Sequence, residues 1–218
     1  MKAATLTQGT EEWLRARLGR ITASGMADVL RKDPAAKTRV KYMAQLAEER
    51  ITGMLANGIT THAMETSSAF EKHARRAYEL YTDTQIDEYG FVIHPTMDFA
   101  GCSPDGVVGI EGGIEIKCCQ SAVHLAWQKK GKVPTEHEPQ MVWNMACCEA
   151  VWWDFVSYDP LAPEDQRLFI SRLHRDEKRI EFLEAAVRQF NEEVEEVIAR
   201  MRGTDRLKEQ IKSSLEIA

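Results

Sequence analysis

Nothing in this chain of 218 residues is apolar for long enough to span a bilayer, and its start lacks the charged-then-apolar character of a signal peptide. A cytoplasmic protein is the expectation. Linker chemistry is equally scarce: the 7 prolines and 13 glycines are scattered rather than gathered with serine into a spacer. Without such a divider, residues 1–218 read as a single domain with helical additions at both ends. No internal repeat or low-complexity stretch interrupts it. Cysteine is present, but only as Cys102, Cys118, Cys119, Cys147 and Cys148, two adjacent pairs and one single residue. That spacing suits neither a disulfide framework nor a C-x-x-C zinc site, so free and mostly buried thiols are expected.

Positive charge is in deficit as well. Against 34 acidic residues stand 28 lysines and arginines, a formal net charge of -6, which excludes an open face that gathers nucleic acid by long-range attraction. Contacts with phosphate would have to be concentrated. Arg15, Arg17, Arg20, Arg31, Lys32, Lys37, Arg39 and Lys41 all fall in the first fifth of the chain, and Lys129, Lys130 and Lys132 flank a turn. Each cluster is also compatible with a solvated surface.

What the chain does contain is an ordered run of polar chemistry in its middle. Asp105 lies in Ser103-Pro104-Asp105-Gly106, glycines follow at Gly109, Gly112 and Gly113, and Glu115 and Lys117 stand in Ile114-Glu115-Ile116-Lys117. Side chains alternate along a strand, so Glu115 and Lys117 share one face while Ile114, Ile116 and Cys118 share the other. The pattern predicts one face in the core and the other at a site. Val107-Val108-Gly109-Ile110 reads as the preceding strand, and Glu111-Gly112-Gly113 as a turn that brings Asp105 back toward Glu115 and Lys117. Two carboxylates held together repel, a cost that a divalent cation removes, and hard oxygen ligands suit magnesium. A lysine beside them can position an attacking water and offset charge on a phosphate. The same three residues would also serve as a cross-strand salt bridge, since the spacing alone is common.

Around this motif the pattern is α/β, with a central mixed sheet flanked by helices. Helices are expected from about Thr38 to Gly53, from Ser67 to Tyr81, from Ser121 to Lys130, and after Pro139. Strands are expected at 89–94, 99–103, 107–110, 114–118, 151–158 and 168–173. A last segment repeats Ile180, Leu183, Val187, Phe190, Val194, Val197 and Met201 on one face, a long amphipathic helix that Gly203 should end. Its other face carries Glu192, Glu193, Glu195 and Glu196, too acidic to lie along DNA. Packing against the sheet or a neighbouring subunit is one reading of the apolar face, and docking a partner is another.

Four separated blocks carry a family resemblance: Trp13-Leu14-Arg15-Ala16-Arg17-Leu18-Gly19-Arg20-Ile21-Thr22-Ala23-Ser24, the Phe70-Glu71 pair, the Asp105 and Glu115-Ile116-Lys117-Cys118 segments, and Pro139-Gln140. In these the chain resembles the phage-type 5'-to-3' double-strand DNA exonucleases of the lambda kind, within the restriction-endonuclease-like PD-(D/E)xK superfamily. The resemblance implies a restriction-endonuclease-like core and a processive exonuclease that releases mononucleotides and leaves a 3' tail for recombination by strand annealing. It implies Asp105, Glu115 and the backbone carbonyl of Ile116 as ligands of one or two magnesium ions, with manganese able to substitute. Lys117 would position the water, with Gln140 beside the nucleophile and Glu71 joining through water or a second ion. Arg17 and Ser24 would grip a 5'-phosphate, and Met64 would wedge apart the terminal base pairs. The implied partners are duplex DNA ends, two further copies in a homotrimeric ring, and a single-strand annealing protein, in the cytoplasm of a bacterial host. A structure-specific or site-specific endonuclease, or a non-catalytic DNA-end clamp, are the alternatives.

Several of these residues make physical sense without the family. Ser24 precedes a helix start, where free amides suit an anion or where it is an ordinary cap. The donor fork of Arg17 matches phosphate better than a lysine does, although a solvated helix face would also hold it. Glu71 borders an apolar stripe of Phe70, Ala74, Ala77, Leu80 and Tyr81, where a surface glutamate is the plain reading. A helix-start polar residue is the plain reading of Gln140.

Overall fold

The computed structural model describes residues 2–4, 6–56 and 62–216, with side chains placed for 6–56 and 70–203. The chain opens with strand β1 (Lys2–Ala4), helix α1 (Glu11–Arg17), strand β2 (Ile21–Thr22), a 3-10 turn (Ala23–Gly25) and helices α2 (Met26–Val29), α3 (Lys37–Thr52) and α4 (His62–Thr82). Strands β3 (Phe91–His94), β4 (Met97–Cys102), β5 (Gly106–Val108) and β6 (Gly112–Cys118) follow. Helices α5 (Ser121–Lys130) and α6 (Glu138–Cys148) lead to strands β7 (Trp152–Tyr158) and β8 (Leu168–His174), and helix α7 (Glu177–Glu216) closes the chain.

Local chemistry sets the ends of these elements. The Thr10 hydroxyl accepts from the Trp13 amide at the start of α1, with Glu11 and Glu12 in the first turn and Arg15 and Arg17 in the last, each sign matched to the helix dipole. Gly53 and Gly131, at φ 67° and 63°, end α3 and α5 in the left-handed conformation that costs glycine nothing. Gly203, by contrast, does not end α7, which runs on to Glu216. A glycine stops a helix by turning left-handed; one that keeps helical torsions only weakens it, by ~1 kcal/mol relative to alanine.

The strands form two mixed four-stranded sheets, ordered β1-β3-β4-β2 and β5-β6-β7-β8, rather than the one central sheet expected. The break falls at Pro104 and Asp105. A proline has no amide to give a ladder, and the Asp105 side chain, not its backbone, accepts the Ile116 amide at 2.7 Å. In the second sheet β6 runs parallel to β7, so these two strands share a carboxyl end, and antiparallel to β5. Strand β5 stops at Val108 because Gly109 turns left-handed, at φ 57°, and Ile110 sits on the turn, 93% exposed.

Two cores flank β6. The larger holds Met141, Trp143, Trp153, Phe155 and Phe190 together with residues of α2 and α3. A smaller one, of Ala74, Tyr78, Ile86, Ile114, Ile116, Val156 and Tyr158, lies under α4. Both faces of β6 are therefore covered, the face expected at a site included: Glu115 is only 1% exposed. The reason is layering, since helices pack on both sides of this sheet.

Helix α7 places Ile180, Leu183, Val187, Phe190, Val194 and Ile198 in the larger core. Ile198 is buried where the periodicity pointed to Val197, which is partly buried, and Met201 is 41% exposed. Packing within the chain thus occupies the apolar face. On its flank, Glu193 accepts both nitrogens of Arg39, at 2.7 and 3.0 Å, and Glu195 accepts from Arg50 at 2.7 Å. Arg39, one of the early basic cluster, is consumed inside the fold rather than offered to phosphate. Cys102, Cys147 and Cys148 are buried and Cys118 and Cys119 partly so, all as free thiols. Among the described residues no helix is long and apolar enough to cross a membrane.

Candidate active site

Asp105 leaves the end of β4 just before β5, and β6 carries Glu115 and Lys117 past it. The carboxylate of Asp105 is fixed by the Ile116 amide on one oxygen, while Arg75 of α4 donates to its backbone carbonyl at 2.7 Å. Lys117 donates its ammonium to Glu115 Oε1 at 2.5 Å, and Asn144 of α6 donates to Glu115 Oε2 at 3.1 Å. The structure therefore brings Asp105, Glu115 and Lys117 together as the sequence pattern predicted. The salt bridge that forms joins Lys117 to Glu115 along one strand rather than across two, with Asp105 tied to the same strand through the Ile116 amide.

The electrostatics are those of a site short of positive charge. Burial raises the Asp105 carboxyl above its ordinary range, more than Lys117, the Ile116 amide and Arg75 lower it. Burial and then the Asp105 charge push Glu115 up to about 7 despite Lys117 and Asn144. Burial pulls Lys117 down, but Glu115, Asp105 and Glu71 outweigh it and hold the ammonium protonated. Glu71, half-buried on α4, thus acts on this site through its charge. Gln140 is half-buried in the first turn of α6, one turn before Asn144. Met64 falls in the first turn of α4, and its side chain lies outside the described residues.

A second cluster forms around α1 and the 3-10 turn. The Trp13 indole N–H donates to Ser103 Oγ at 3.0 Å and to the Gly90 carbonyl at 2.8 Å, and its ring carries the Arg17 guanidinium 4.3 Å above its centre. Arg17 is half-buried and forms no ion pair with another described residue. Burial lowers its pKa, with Tyr42 and Glu49 close enough to pull the other way. The Tyr42 hydroxyl accepts from the Thr22 amide at 2.9 Å, and the Thr22 hydroxyl meets Ser24 Oγ at 3.1 Å. A Cβ on Gly25 would strike the Tyr42 hydroxyl at 2.4 Å, so only glycine lets that ring lie against the turn. Because β2 pairs in parallel with β4, Thr22 opposite Gly101, the cluster sits at the same strand end from which Asp105 emerges.

Asn144, Arg75 and Tyr42 escaped the sequence pattern. Asn144 carried one usable signal, a lone amide in the otherwise apolar run Met141–Cys148, four residues after Gln140. Arg75 and Tyr42 carried none, being one cation and one aromatic on amphipathic helices. Among the described residues no three His, Cys, Asp or Glu side chains gather into a metal cluster; the carboxylates brought near one another are Asp105 and Glu115, with Glu71 close enough to act on Lys117.

Residues 12–151, well over half of the chain, match the YqaJ-like viral recombinase domain. The chain belongs to the YqaJ-like viral recombinase family. The matched span includes Arg17, Ser24, Asp105, Glu115, Lys117 and Gln140, whereas α7 lies beyond it. Among solved structures, this YqaJ-like chain is similar to an alkaline exonuclease from Laribacter hongkongensis, with 41% identity over 91% of this chain and 100% of that one and a TM-score of 0.83. The same exonuclease in complex with dAMP matches at 42% identity over the same extents, again with a TM-score of 0.83. A phage-related exonuclease from Haemophilus somnus 129PT shares the fold at 14% identity, over 84% of this chain and 96% of that one, with a TM-score of 0.60. No curated protein matches the YqaJ-like chain.

Proposed function

We propose that this chain is a magnesium-dependent DNA exonuclease that enters at a duplex end, digests the 5' strand processively to mononucleotides and leaves a 3' single strand for annealing. The carrying observation is the convergence of Asp105, from the junction of β4 and β5, with Glu115 and Lys117 of β6. Its family and its likeness to an alkaline exonuclease, also solved with the mononucleotide dAMP, support the reading.

The donor set fits a hard cation. Two carboxylates both raised by burial, with Lys117 and Arg75 failing to offset them, would gain from one further positive charge. Magnesium held by Asp105, Glu115 and the Ile116 carbonyl would supply Lewis-acid stabilisation of charge on the scissile phosphate. Asp105 is pinned by an amide and cannot swing away, which keeps the donor set preorganised. Lys117 holds its proton and orients the attacking water, with Gln140 hydrogen-bonding beside it and Glu71 adding negative charge at the edge. Arg17 and the Ser24 hydroxyl bind the 5'-phosphate, and Met64 separates the last base pairs.

Enclosure in a ring of three copies would hold DNA without a basic exterior, in keeping with a net charge of -6. A monomeric mass in solution would remove that part of the reading. Linear duplex labelled separately at each end, with and without magnesium and beside closed circular duplex, tests the rest. The expected result is magnesium-dependent loss of the 5' label as mononucleotide, with circles untouched; release from 3' ends or cutting of circles would contradict it.

A further inference from the structure

We propose that Asn144 is a positioning residue for Glu115, kept for the site rather than for the core. This rests on the reading of Glu115 as a metal ligand. Asn144 is fully buried, in a helix segment from Met141 to Cys148 whose every residue is buried. Its Nδ2 makes one hydrogen bond, to Glu115 Oε2 at 3.1 Å. Its Oδ1 is buried with no partner among the described residues.

Each of these facts counts against a structural purpose. Asparagine is a poor helix former, an apolar side chain of similar volume would suit the surrounding Trp143, Met141 and Cys147, and a buried orphan acceptor is costly. Turning the amide over does not relieve the cost, because Oδ1 would then face the Glu115 carboxylate and Nδ2 would be stranded. What the residue accomplishes is directional. It holds Oε2 from the α6 side, and Lys117 takes Oε1, so the carboxylate plane is fixed by one donor on each oxygen. Of the two donors only Asn144 is uncharged and seated in the core, so it keeps its hold on Oε2 when Lys117 turns from Oε1 toward the water. A carboxylate whose orientation is set in this way binds a cation without first having to be ordered.

The test uses the full chain as Asn144→Ala and Asn144→Leu, the second filling the space and removing the orphan oxygen. Thermal unfolding in EDTA measures the fold, and titration with Mg2+ and with Mn2+, followed by calorimetry and by the rise in melting temperature, measures the site. Half-saturating metal should rise ~10- to 100-fold in both variants, with melting in EDTA close to wild type and KM for DNA unmoved. Unshifted metal midpoints overturn the proposal. Failure of both variants to fold does so too, since a side chain retained for the site is dispensable to the core. If wild type itself shows no metal response, the metal reading fails; if wild type responds and the variants track it, only the role of Asn144 fails.

Discussion

Asp105→Asn separates what Asp105 does for the backbone from what its charge does for the site. An asparagine oxygen can accept the Ile116 amide as the carboxylate does at 2.7 Å, so the junction between β4 and β5 is kept. The charge is held at a net cost, because burial raises the Asp105 carboxyl in spite of three favourable neighbours. It also raises Glu115, second only to burial as the cause of a value of about 7 against 4.5. That displacement amounts to about 3 kcal/mol once Glu115 is ionised, at ~1.4 kcal/mol per pH unit, and the Asp105 charge is its second-largest cause. The sign follows from the direction. A carboxyl raised in the fold contributes fully below 4.5, and its contribution is lost as pH climbs through about 7, so the relief from Asp105→Asn is seen at higher pH. At about pH 8 in EDTA the variant should melt above wild type, by ~2–4 °C for each ~1 kcal/mol relieved. It should also lose the stabilisation by magnesium and at least ~100-fold in turnover. Thermal unfolding with and without magnesium, beside the nuclease assay, reads all three. A variant that melts below wild type in EDTA, or that magnesium still stabilises, refutes the reasoning.

Lys117→Ala should lower turnover at least ~100-fold, and near-normal degradation in a gel assay would end its role with the water. Arg17→Ala should slow digestion of 5'-phosphorylated ends far more than of 5'-hydroxyl ends, and equal loss on both would remove the phosphate pocket. Because Glu115 ionises at about 7, activity at limiting magnesium should rise with pH through that value, and the midpoint should move lower as magnesium is added, since cation and proton compete. A flat profile measured across that range, or a midpoint indifferent to magnesium, would contradict it.

The centre of the site was legible because strand alternation is a strict geometric rule: once residues 114–118 are a strand, Glu115 and Lys117 must share a side. Helix limits were legible where chemistry marks them, as at Gly53 and Gly131, and misread at Gly203, where the residue type is the same but the torsions are helical. The two-sheet arrangement was not legible, because it depends on a side chain taking a backbone amide, which no local pattern announces. Nor was the covering of both faces of β6, since Ile114 and Glu115 are buried by helices far away in sequence. Asn144 and Tyr42 were missed for the same reason, their meaning being a partner 29 or 20 residues distant. The early basic cluster illustrates the opposite failure, a composition signal partly cancelled when Arg39 meets Glu193.

The indole of Trp13 touches both halves of the proposed machinery, its N–H on Ser103 and its ring under Arg17. It is a bracket. If the guanidinium grips the terminal phosphate and Asp105, two residues after Ser103, marks where the strand is cut, the span between grip and cut is set by one rigid bicyclic ring rather than by a loop. Inserting a single residue between Trp13 and Arg17 would swing the guanidinium by ~100° around the α1 axis, and the length of strand measured off at each bite would change with it.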